Sequence, residues 1–266
     1  MASFKSANAY FQFARKVKTT SRHVRDADDL EFLATLLAQA EPDRKTVIPK
    51  GTFLWRAQLG FGWEPIWDGE KYIDDCVEGP FPPERMRPLR DQAREGRANP
   101  QGIPYLYLST RKETALSEIR PWLGSLISIG QFETARELTI VDFSTDERPR
   151  RYPVPPEEWD KAVWHDIDQA FRRPVTVEAD FPSEYAPTQV IAEFFKARGF
   201  DGIGYQSAFQ STSGEGHNVA LFDPHAAYLS GCCGLEKVME INFTFKEAAN
   251  PYFVESKNSA PRTGTD

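Results

Sequence analysis

The amino-acid sequence predicts a mixed α+β fold in a single domain with a helical extension at its N-terminus. Helical and strand patterns follow one another irregularly: helices come first, then strands separated by a long loop, then a helix, a strand, two helices and several strands. A doubly wound parallel sheet would instead alternate strand and helix regularly. The chain of 266 residues, 40 % of them hydrophobic, is long enough to bury one full core.

Charge and cysteine content argue against several broad classes of function. The formal net charge of -7 is opposite to the basic excess that binding to nucleic acid or anionic lipid requires. Cys76, Cys232 and Cys233 form no CxxC pair, so neither a disulfide framework nor a zinc ribbon is predicted. The first residues lack the apolar run of a signal peptide, and no apolar run is long enough for a membrane span. We therefore predict a cytoplasmic protein that binds neither nucleic acid directly nor membranes.

Residues 1–50 are predicted to form the helical extension. The apolar residues of "DADDLEFLATLLAQA" recur at helical spacing, which indicates a helix that faces a core, and the aspartates at its start suit the positive end of a helix. Basic residues among aromatic ones earlier in the extension indicate either a solvated face or a contact with an acidic partner. The predicted core positions of the helix are Leu30, Leu33, Leu37 and Ala40.

The first predicted strand follows Gly51. The short apolar run "TFLWRAQ" is typical of a buried strand, and it ends in the polar residues Arg56 and Gln58. From Leu59 to Pro100 the chain is rich in Gly, Pro, Asp and Arg and shows little periodicity, which predicts a long ordered loop or lid. Loops of this length in a compact domain are commonly functional.

A strand and a helix are predicted after this loop. In "IPYLYLS" leucines alternate with tyrosines, so we expect the leucine side to face the core and the tyrosine side, with Tyr107, to line a cleft. Thr110 and Glu113 form the pattern of a capping box at the start of a helix. Pro121 would end this helix, and Glu118 would lie at the margin of its buried face.

The rest of the chain predicts two helices and several strands. The strands are "LTIVDFS", "DGIGYQS", "NVALFD" and "MEINFTF". "PTQVIAEFFKARGF" predicts a helix that ends at Gly199 in a left-handed C-cap. We expect the tail, residues 255–266, to be disordered. The other helix carries apolar residues on one side, namely Trp159, Val163, Ile167 and Phe171.

Polar residues near the ends of predicted elements are the candidates for a functional site. Each also has an ordinary interpretation: an arginine as an ion-pair partner or loop residue, a tyrosine as core filler, a glutamate as a solvated helix residue, and a serine or asparagine as a turn residue. No Rossmann, P-loop, zincin or nucleophile-elbow motif is present, and the histidines have no spacing typical of a metal site. The candidates are Arg56, Arg97, Tyr107, Glu118, Ser207 and Asn218.

Three segments together resemble the RES domain family, which is named for its arginine, glutamate and serine. They are "FLWRAQ", "GRANPQGIPYLYLSTRKETALSEIRPW" and "PTQVIAEFFKARGFDGIGYQSAFQ...GHNVALFD". The resemblance covers residues 52–223 within a predicted domain of residues 51–254. Its most specific feature is a Gly-Arg-x-Asn-x-x-Gly loop, followed by an apolar strand with tyrosine and by an Ala-Leu-x-Glu helix.

The resemblance implies an ADP-ribosyltransferase-like fold with a mixed β-sheet core, and an enzyme that uses NAD as its substrate. No metal is expected, because the sequence offers no metal cluster. Members of the family are toxins of bacterial toxin–antitoxin pairs that deplete NAD or transfer its ADP-ribose to a protein. A partner antitoxin with a helix-turn-helix DNA-binding part holds them inactive. The N-terminal extension, the insertion from Leu59 to Arg94 and the C-terminal extension depart from the compact toxins of the family.

The resemblance and the chemistry of NAD suggest a role for each candidate. Nicotinamide leaves as a neutral molecule, so the site must mainly stabilise a cationic, oxocarbenium-like ribose, and Glu118 would supply the opposing charge. Tyr107 would stack on the nicotinamide ring while its hydroxyl orients the ribose. Ser207 would bond to nicotinamide or its ribose, and the two arginines would bind the pyrophosphate. NAD hydrolysis, ADP-ribosylation of a protein and non-catalytic binding by a RES fold stay open as functions. The predicted catalytic residues are Arg97, Tyr107, Glu118 and Ser207, and the predicted NAD-binding residues are Arg56 and Asn218.

Overall fold

The computed structural model of the protein describes residues 2–89, 92–145, 153–173, 184–209, 216–243 and 245. None of the described helices is both long and apolar enough to cross a membrane. The helices are α1 (Ala9–Thr19), α2 (Ala27–Asp43), α3 (Lys112–Glu118), α4 (Trp159–Arg172) and α5 (Ala186–Ala197). The strands are β1 (Lys45–Ile48), β2 (Phe53–Leu59), β3 (Gly62–Asp68), β4 (Lys71–Gly79), β5 (Leu106–Ser109), β6 (Leu126–Thr134), β7 (Leu138–Asp142), β8 (Gly202–Gln206), β9 (His217–Leu221), β10 (Ala227–Leu229) and β11 (Gly234–Lys237).

Most of the strands join one mixed sheet. Within the described residues its order is β1-β7-β8-β9-β5-β2-β6-β10, and β11 also pairs with β6. Strands β7 and β8 run parallel, whereas the other neighbouring strands of this sheet are antiparallel. A parallel pair needs a long crossover connection, and the chain between β7 and β8 supplies it with α4 and α5. The predicted mixed α+β fold is confirmed.

Apolar side chains cover both faces of this sheet. On one face Ile203 packs with the helices, including Phe171 of α4 and Phe195 of α5. On the other face Leu54 and Phe132 lie in a second cluster of buried residues. Because successive side chains of a strand point to opposite faces, a sheet with two covered faces requires strands that are apolar in both directions.

Strand β5 shows this burial on both sides. Leu106 and Leu108 lie in the second cluster, as predicted for the leucine side. Tyr105 is also buried, however, in the cluster under the helices, and Tyr107 alone of the two tyrosines keeps partial exposure. The helices therefore cover the Tyr105 end of the side on which the cleft is predicted, and Tyr107 is the tyrosine that stays accessible.

The N-terminal helices pack into the cluster under the helical face. Helix α2 begins after the N-cap Asp26, whose side chain accepts a hydrogen bond from the N–H of Asp29, in agreement with the aspartates predicted at its start. Leu30, predicted to face the core, is exposed instead, because the buried stripe lies on a neighbouring side of the helix. The buried apolar residues of α2 are Phe32, Leu33, Leu36 and Ala40.

The segment predicted as a long loop contains a β-hairpin. Strands β3 and β4 pair antiparallel and form a two-stranded sheet of their own. The register shifts between Pro65 and Ile66, where β4 carries two residues without partners in β3, and this breaks the alternation of β4 that would have revealed the hairpin. Strand β1 likewise lies in the extension predicted to be helical, and it pairs with β7 at one edge of the main sheet.

Strand β6 is absent from the sequence-based prediction although it is central to the sheet. Ser128 and Gly130 interrupt its apolar run, yet it pairs with β2, β10 and β11. A Cβ at position 130 would lie 2.6 Å from the end of the Leu229 side chain, so a larger residue there would displace Leu229. The prediction of a strand at "MEINFTF" is wrong, since its described residues form none and Met239 and Phe243 are exposed. The predicted disordered tail, residues 255–266, lies outside the described residues.

The predicted capping box does not cap α3. The N-cap residue is Arg111, and no side chain caps the helix. Thr110 Oγ1 instead accepts a hydrogen bond from His217 N at 3.1 Å, which ties the start of the helix to β9. The helix ends at Glu118, before Pro121, as predicted.

Helices α4 and α5 lie where the apolar patterns predict them. Val163, Ile167 and Phe171 of α4 are fully buried, as is Ile191 of α5. Gly199 adopts φ of 86° after the end of α5, which confirms the left-handed C-cap. Local spacing was sufficient here because each helix buries one continuous stripe.

A carboxyl group is buried within the layer formed by α4. Asp168 is fully buried, and its Oδ2 accepts a hydrogen bond from Thr145 Oγ1 at 3.1 Å. Burial raises the pKa of Asp168 to about 6, and the Thr145 hydroxyl and the nearby Arg172 oppose this rise only in part.

We expect Asp168 to make the protein less stable as the pH rises. Because its pKa is raised in the folded state, its contribution to the free energy of unfolding is fully present below its unfolded pKa, about 3.9, and is lost as the pH rises through about 6. The asparagine of Asp168→Asn cannot ionise. The urea midpoint of this variant should therefore rise relative to that of the wild type between about pH 4 and about pH 7. A difference in midpoint that does not change with pH would contradict this prediction.

Candidate functional site

Glu118, the last residue of α3, is the centre of a polar cluster. Its Oε1 accepts hydrogen bonds from Ser207 Oγ at 2.7 Å and from Asn218 Nδ2 at 2.5 Å. Its Oε2 accepts one from Arg97 Nη2 at 3.2 Å. The side chains of Arg97 and Glu118 are 11 % and 17 % exposed, so their ion pair is mostly withdrawn from water but still accessible. The structure thus brings four of the predicted site residues together, which we call the Glu118 cluster.

Neighbouring strands fix the positions of Ser207 and Asn218. Asn218 lies in β9, opposite Tyr205 of β8 and Ser109 of β5. Ser109 Oγ donates a hydrogen bond to Asn218 Oδ1 at 2.7 Å, so the amide nitrogen of Asn218 is directed at Glu118. Ser207 follows the last residue of β8 directly. Two donors to the carboxylate therefore come from one side of the sheet.

Arg97 is presented by a tight loop that closes on Tyr107. The hydroxyl of Tyr107 donates to Asn99 Oδ1 at 2.8 Å and accepts from Ala98 N at 3.0 Å. A Cβ at Gly96 would lie 2.6 Å from this hydroxyl, so the loop requires a glycine there. Burial raises the pKa of Tyr107 well above its usual value. The Tyr107 hydroxyl is already hydrogen-bonded within the loop, so the ring is the part of Tyr107 that can contact a ligand.

Two side chains at the start of α5 hold the same loop from the other side. Thr188 Oγ1 donates to Arg97 O at 2.5 Å. Gln189 Nε2 donates to Gly96 O at 3.0 Å and to Asn99 O at 3.1 Å. Both side chains are buried, and they supply the partners that buried loop carbonyls need. Helix α5 thereby fixes the backbone that carries Arg97.

Thr188→Val is expected to loosen the Arg97 loop. Valine keeps the shape of threonine but removes the hydroxyl, and a hydrogen bond of this kind contributes about 1 kcal/mol. The amide hydrogens of Gly96 and Ala98 are bonded within the loop, so their exchange with solvent should become roughly fivefold faster. Thr188→Ser keeps the hydroxyl and should exchange like the wild type. Equal exchange in all three proteins would show that α5 does not hold the loop.

Tyr205 belongs to the site, although the sequence patterns do not single it out. The guanidinium carbon of Arg97 lies 5.7 Å from the centroid of the Tyr205 ring. Burial opposes the charge of Arg97, but the electrostatic effect of Tyr205 and Glu118 raises its pKa. Burial also raises the pKa of Tyr205 to about 12. Its place two residues before Ser207, on the same side of the chain, is the signal that could have identified it.

Arg56 lies apart from the Glu118 cluster. It is in the middle of β2 rather than at its end, and β2 is the neighbour of β5, the strand that carries Tyr107. Its Nη1 donates to Tyr107 O at 3.0 Å, whereas its Nε is buried without a hydrogen-bond partner in the described part of the chain. Burial lowers the pKa of Arg56 to about 10. A buried guanidinium with an unused donor is suited to bind an anion.

The residues of this site lie within a match to a known family. The model of the RES domain matches residues 75–231, which is more than half of the chain. The chain belongs to the RES domain family. The match includes the Glu118 cluster and Tyr107, whereas Arg56 lies before its first residue. It begins within β4 of the hairpin, not at residue 52 where the resemblance starts.

Other comparisons add less to the RES assignment. One chain of the crystal structure of the M. tuberculosis MbcT–MbcA toxin–antitoxin complex is 13 % identical over a match that covers 76 % of this chain and 91 % of that chain, with a TM-score of 0.38. None of the curated proteins compared with the chain matches it. Membership of the RES domain family therefore rests on the family model.

Proposed function

We propose that the protein cleaves the bond between nicotinamide and ribose in NAD and transfers the ADP-ribose part to water. The observation that carries this proposal is the Glu118 carboxylate held by Arg97, Ser207 and Asn218. A carboxylate offers about four acceptor positions, and these partners use three of them. One acceptor position is left for a ribose hydroxyl.

The reaction needs a negative charge at this position. The ring nitrogen of nicotinamide is cationic in NAD, so nicotinamide departs as a neutral molecule and no general acid is required. Positive charge develops on the ribose, and a preorganised carboxylate stabilises it most in the transition state. Membership of the RES domain family supports the proposal, because the family is named for an arginine, a glutamate and a serine, and the Glu118 cluster contains one of each.

Arg56 and Tyr107 are proposed to bind the rest of NAD. Arg56 is half-buried, and its buried, unpaired Nε favours a contact with the pyrophosphate. The ring of Tyr107 favours stacking on nicotinamide, since its hydroxyl is already bonded to Asn99. Arg97 is bonded to Glu118, so orienting the carboxylate replaces the pyrophosphate contact as its proposed role.

A partner protein is part of the proposal. We infer that an antitoxin with a helix-turn-helix DNA-binding part holds the protein inactive in the cytoplasm, as the RES resemblance implies. The antitoxin would cover the NAD cleft, because occluding the site is the simplest form of inhibition. Adding the antitoxin to the purified protein should then abolish NAD consumption.

Incubating the purified protein with NAD tests the proposal and separates the alternatives. Free ADP-ribose and nicotinamide formed from NAD alone would support hydrolysis. If NAD is consumed only after cell extract is added, and ADP-ribose becomes attached to a protein, the activity is transfer instead. If NAD neither binds nor is consumed, with or without extract, the proposal is wrong and the chain is a binding module.

Turnover of NAD is expected to persist in EDTA. A neutral leaving group needs no Lewis acid, and hydrogen-bond donors surround the Glu118 carboxylate. Among the described residues, no group of three or more His, Cys, Asp or Glu side chains is arranged to hold a metal ion. The measurement compares turnover before and after dialysis against EDTA, and a loss that zinc or magnesium restores would contradict the prediction.

A further inference from the structure

The hairpin of β3 and β4 carries an aromatic surface outside the Glu118 cluster. The register places Trp63 opposite Glu78 and Trp67 opposite Tyr72. Because alternate residues of β3 point to the same side, both tryptophans and Tyr72 lie on one face of the hairpin. The ring centroids of Trp67 and Tyr72 are 5.6 Å apart. We call Trp63, Trp67 and Tyr72 the tryptophan face.

The described part of the chain leaves the tryptophan face open to solvent. Trp63 is 66 % exposed and Trp67 is 58 % exposed. The hairpin forms a separate two-stranded sheet, and neither of its strands packs extensively against any other described helix or strand. An isolated two-stranded hairpin is only marginally stable in water, and adjacent large aromatic side chains on a surface mark an interaction site. Contact with another molecule would stabilise both the hairpin and its aromatic side chains.

The charge of the hairpin restricts the kind of partner. Residues 62–79 contain six acidic residues and one lysine, which give a formal charge of -5 in a chain of net charge -7. Such a surface repels nucleic acid and anionic membranes, and two copies of the hairpin repel each other. A basic protein surface is attracted to it, and apolar side chains on that surface would cover the tryptophans.

We propose that the β3–β4 hairpin is a docking arm for a partner protein whose contacting surface is net basic and carries apolar side chains. The tryptophan face would supply most of the binding energy, since exposed tryptophan and tyrosine are the residues that dominate protein interfaces. The acidic residues around it would select the partner and accelerate its association. This proposal concerns a surface outside the Glu118 cluster and does not rest on NAD cleavage.

Photo-crosslinking in the source cells tests the docking arm. The full chain carries the crosslinking residue p-benzoylphenylalanine in place of Trp67, and the matched control carries it in place of Leu30, an exposed residue of α2. We expect a product with one other protein at Trp67 that the control lacks, in which the crosslinked segment contains more Lys and Arg than Asp and Glu. A crosslink to a second copy, to nucleic acid or to an acidic segment, or the absence of a discrete product, overturns the proposal.

Binding of the identified protein, once purified, gives the quantitative test. Asp68→Lys combined with Glu78→Lys reverses two hairpin charges, and Trp67→Ser removes one ring of the tryptophan face. Each change should weaken binding at least about tenfold, and added salt should weaken binding to the wild type. Reversal of Glu41 and Asp43 on α2 is the matched control and should leave the affinity unchanged, with unfolding midpoints like that of the wild type in every variant. Equal affinities for the hairpin variants and the control would overturn the proposal.

Discussion

Glu118→Gln is expected to lower the turnover number for NAD by about 10²- to 10³-fold, the effect of losing one preorganised electrostatic contact. Glutamine keeps the length of the side chain and its hydrogen-bonding capacity but removes the negative charge. That charge matters most when the ribose is cationic, so the loss should appear in kcat, while the affinity for NAD changes little. Steady-state kinetics together with a binding titration of NAD measure the two quantities separately.

Glu118→Gln should also lower the free energy of unfolding, unlike the substitution of a helix residue that is fully solvated. Arg97 loses its carboxylate partner, and an amide can accept hydrogen bonds at only one of its two ends. Leaving such partners unsatisfied costs about 1–3 kcal/mol of the free energy of unfolding. Glu113→Gln is the matched control on the exposed side of α3 and should change neither quantity. Near-normal turnover of Glu118→Gln with an intact fold would leave Glu118 with a structural role alone.

Arg56→Met is expected to raise the KM for NAD by about 10- to 100-fold, the value of one charge-assisted contact with the pyrophosphate. The free energy of unfolding should stay the same or rise, because the guanidinium of the free protein is buried with its Nε unpaired, whereas methionine carries no charge. Replacing a residue that binds substrate should thus leave the protein equally stable or more stable, whereas replacing a residue that holds the fold should destabilise it. Urea denaturation and initial-rate kinetics on the same preparation provide both values.

Arg56→Lys separates charge from shape at this position. Lysine keeps the positive charge but cannot bind a phosphate group through two parallel hydrogen bonds, so its KM should lie between those of the wild type and Arg56→Met. If Arg56→Met instead unfolds more easily and binds NAD normally, Arg56 acts through its hydrogen bond to Tyr107 O.

Local sequence pattern predicts those elements whose packing depends on one continuous apolar stripe. Helices α4 and α5 are of this kind, and the C-cap at Gly199 marks the end of α5 correctly. The pattern fails for β6, where Gly130 is set by the approach of Leu229 from another strand, and for the hairpin, where a register shift breaks the alternation. In both places the residue pattern depends on contacts with a neighbouring strand, and the periodicity along a single strand does not reveal those contacts.

The residue types of the site are visible in the sequence, but their contacts are not. Ser207 and Asn218 meet Glu118 because β8, β9 and β5 are neighbours in the sheet, and that neighbourhood is a property of topology. The bond from Arg97 to Glu118 depends on the loop that Tyr107 and α5 hold, whereas the family resemblance and the chemistry of NAD suggest a pyrophosphate contact for Arg97. The family resemblance indicates which residues belong to the site, whereas the structure shows which of them are in contact.

The partners of Glu118 also determine when during synthesis the site can exist. Ser207 lies 89 residues and Asn218 100 residues after Glu118 in the chain, and Thr188 lies 91 residues after Arg97. Contacts over such separations form only after a long loop has closed, and domains fold as units while the chain emerges from the ribosome. A growing chain that ends before β8 therefore presents the Glu118 carboxylate without Ser207 and Asn218. The cell that translates this protein meets a complete site only when most of the polypeptide has been made.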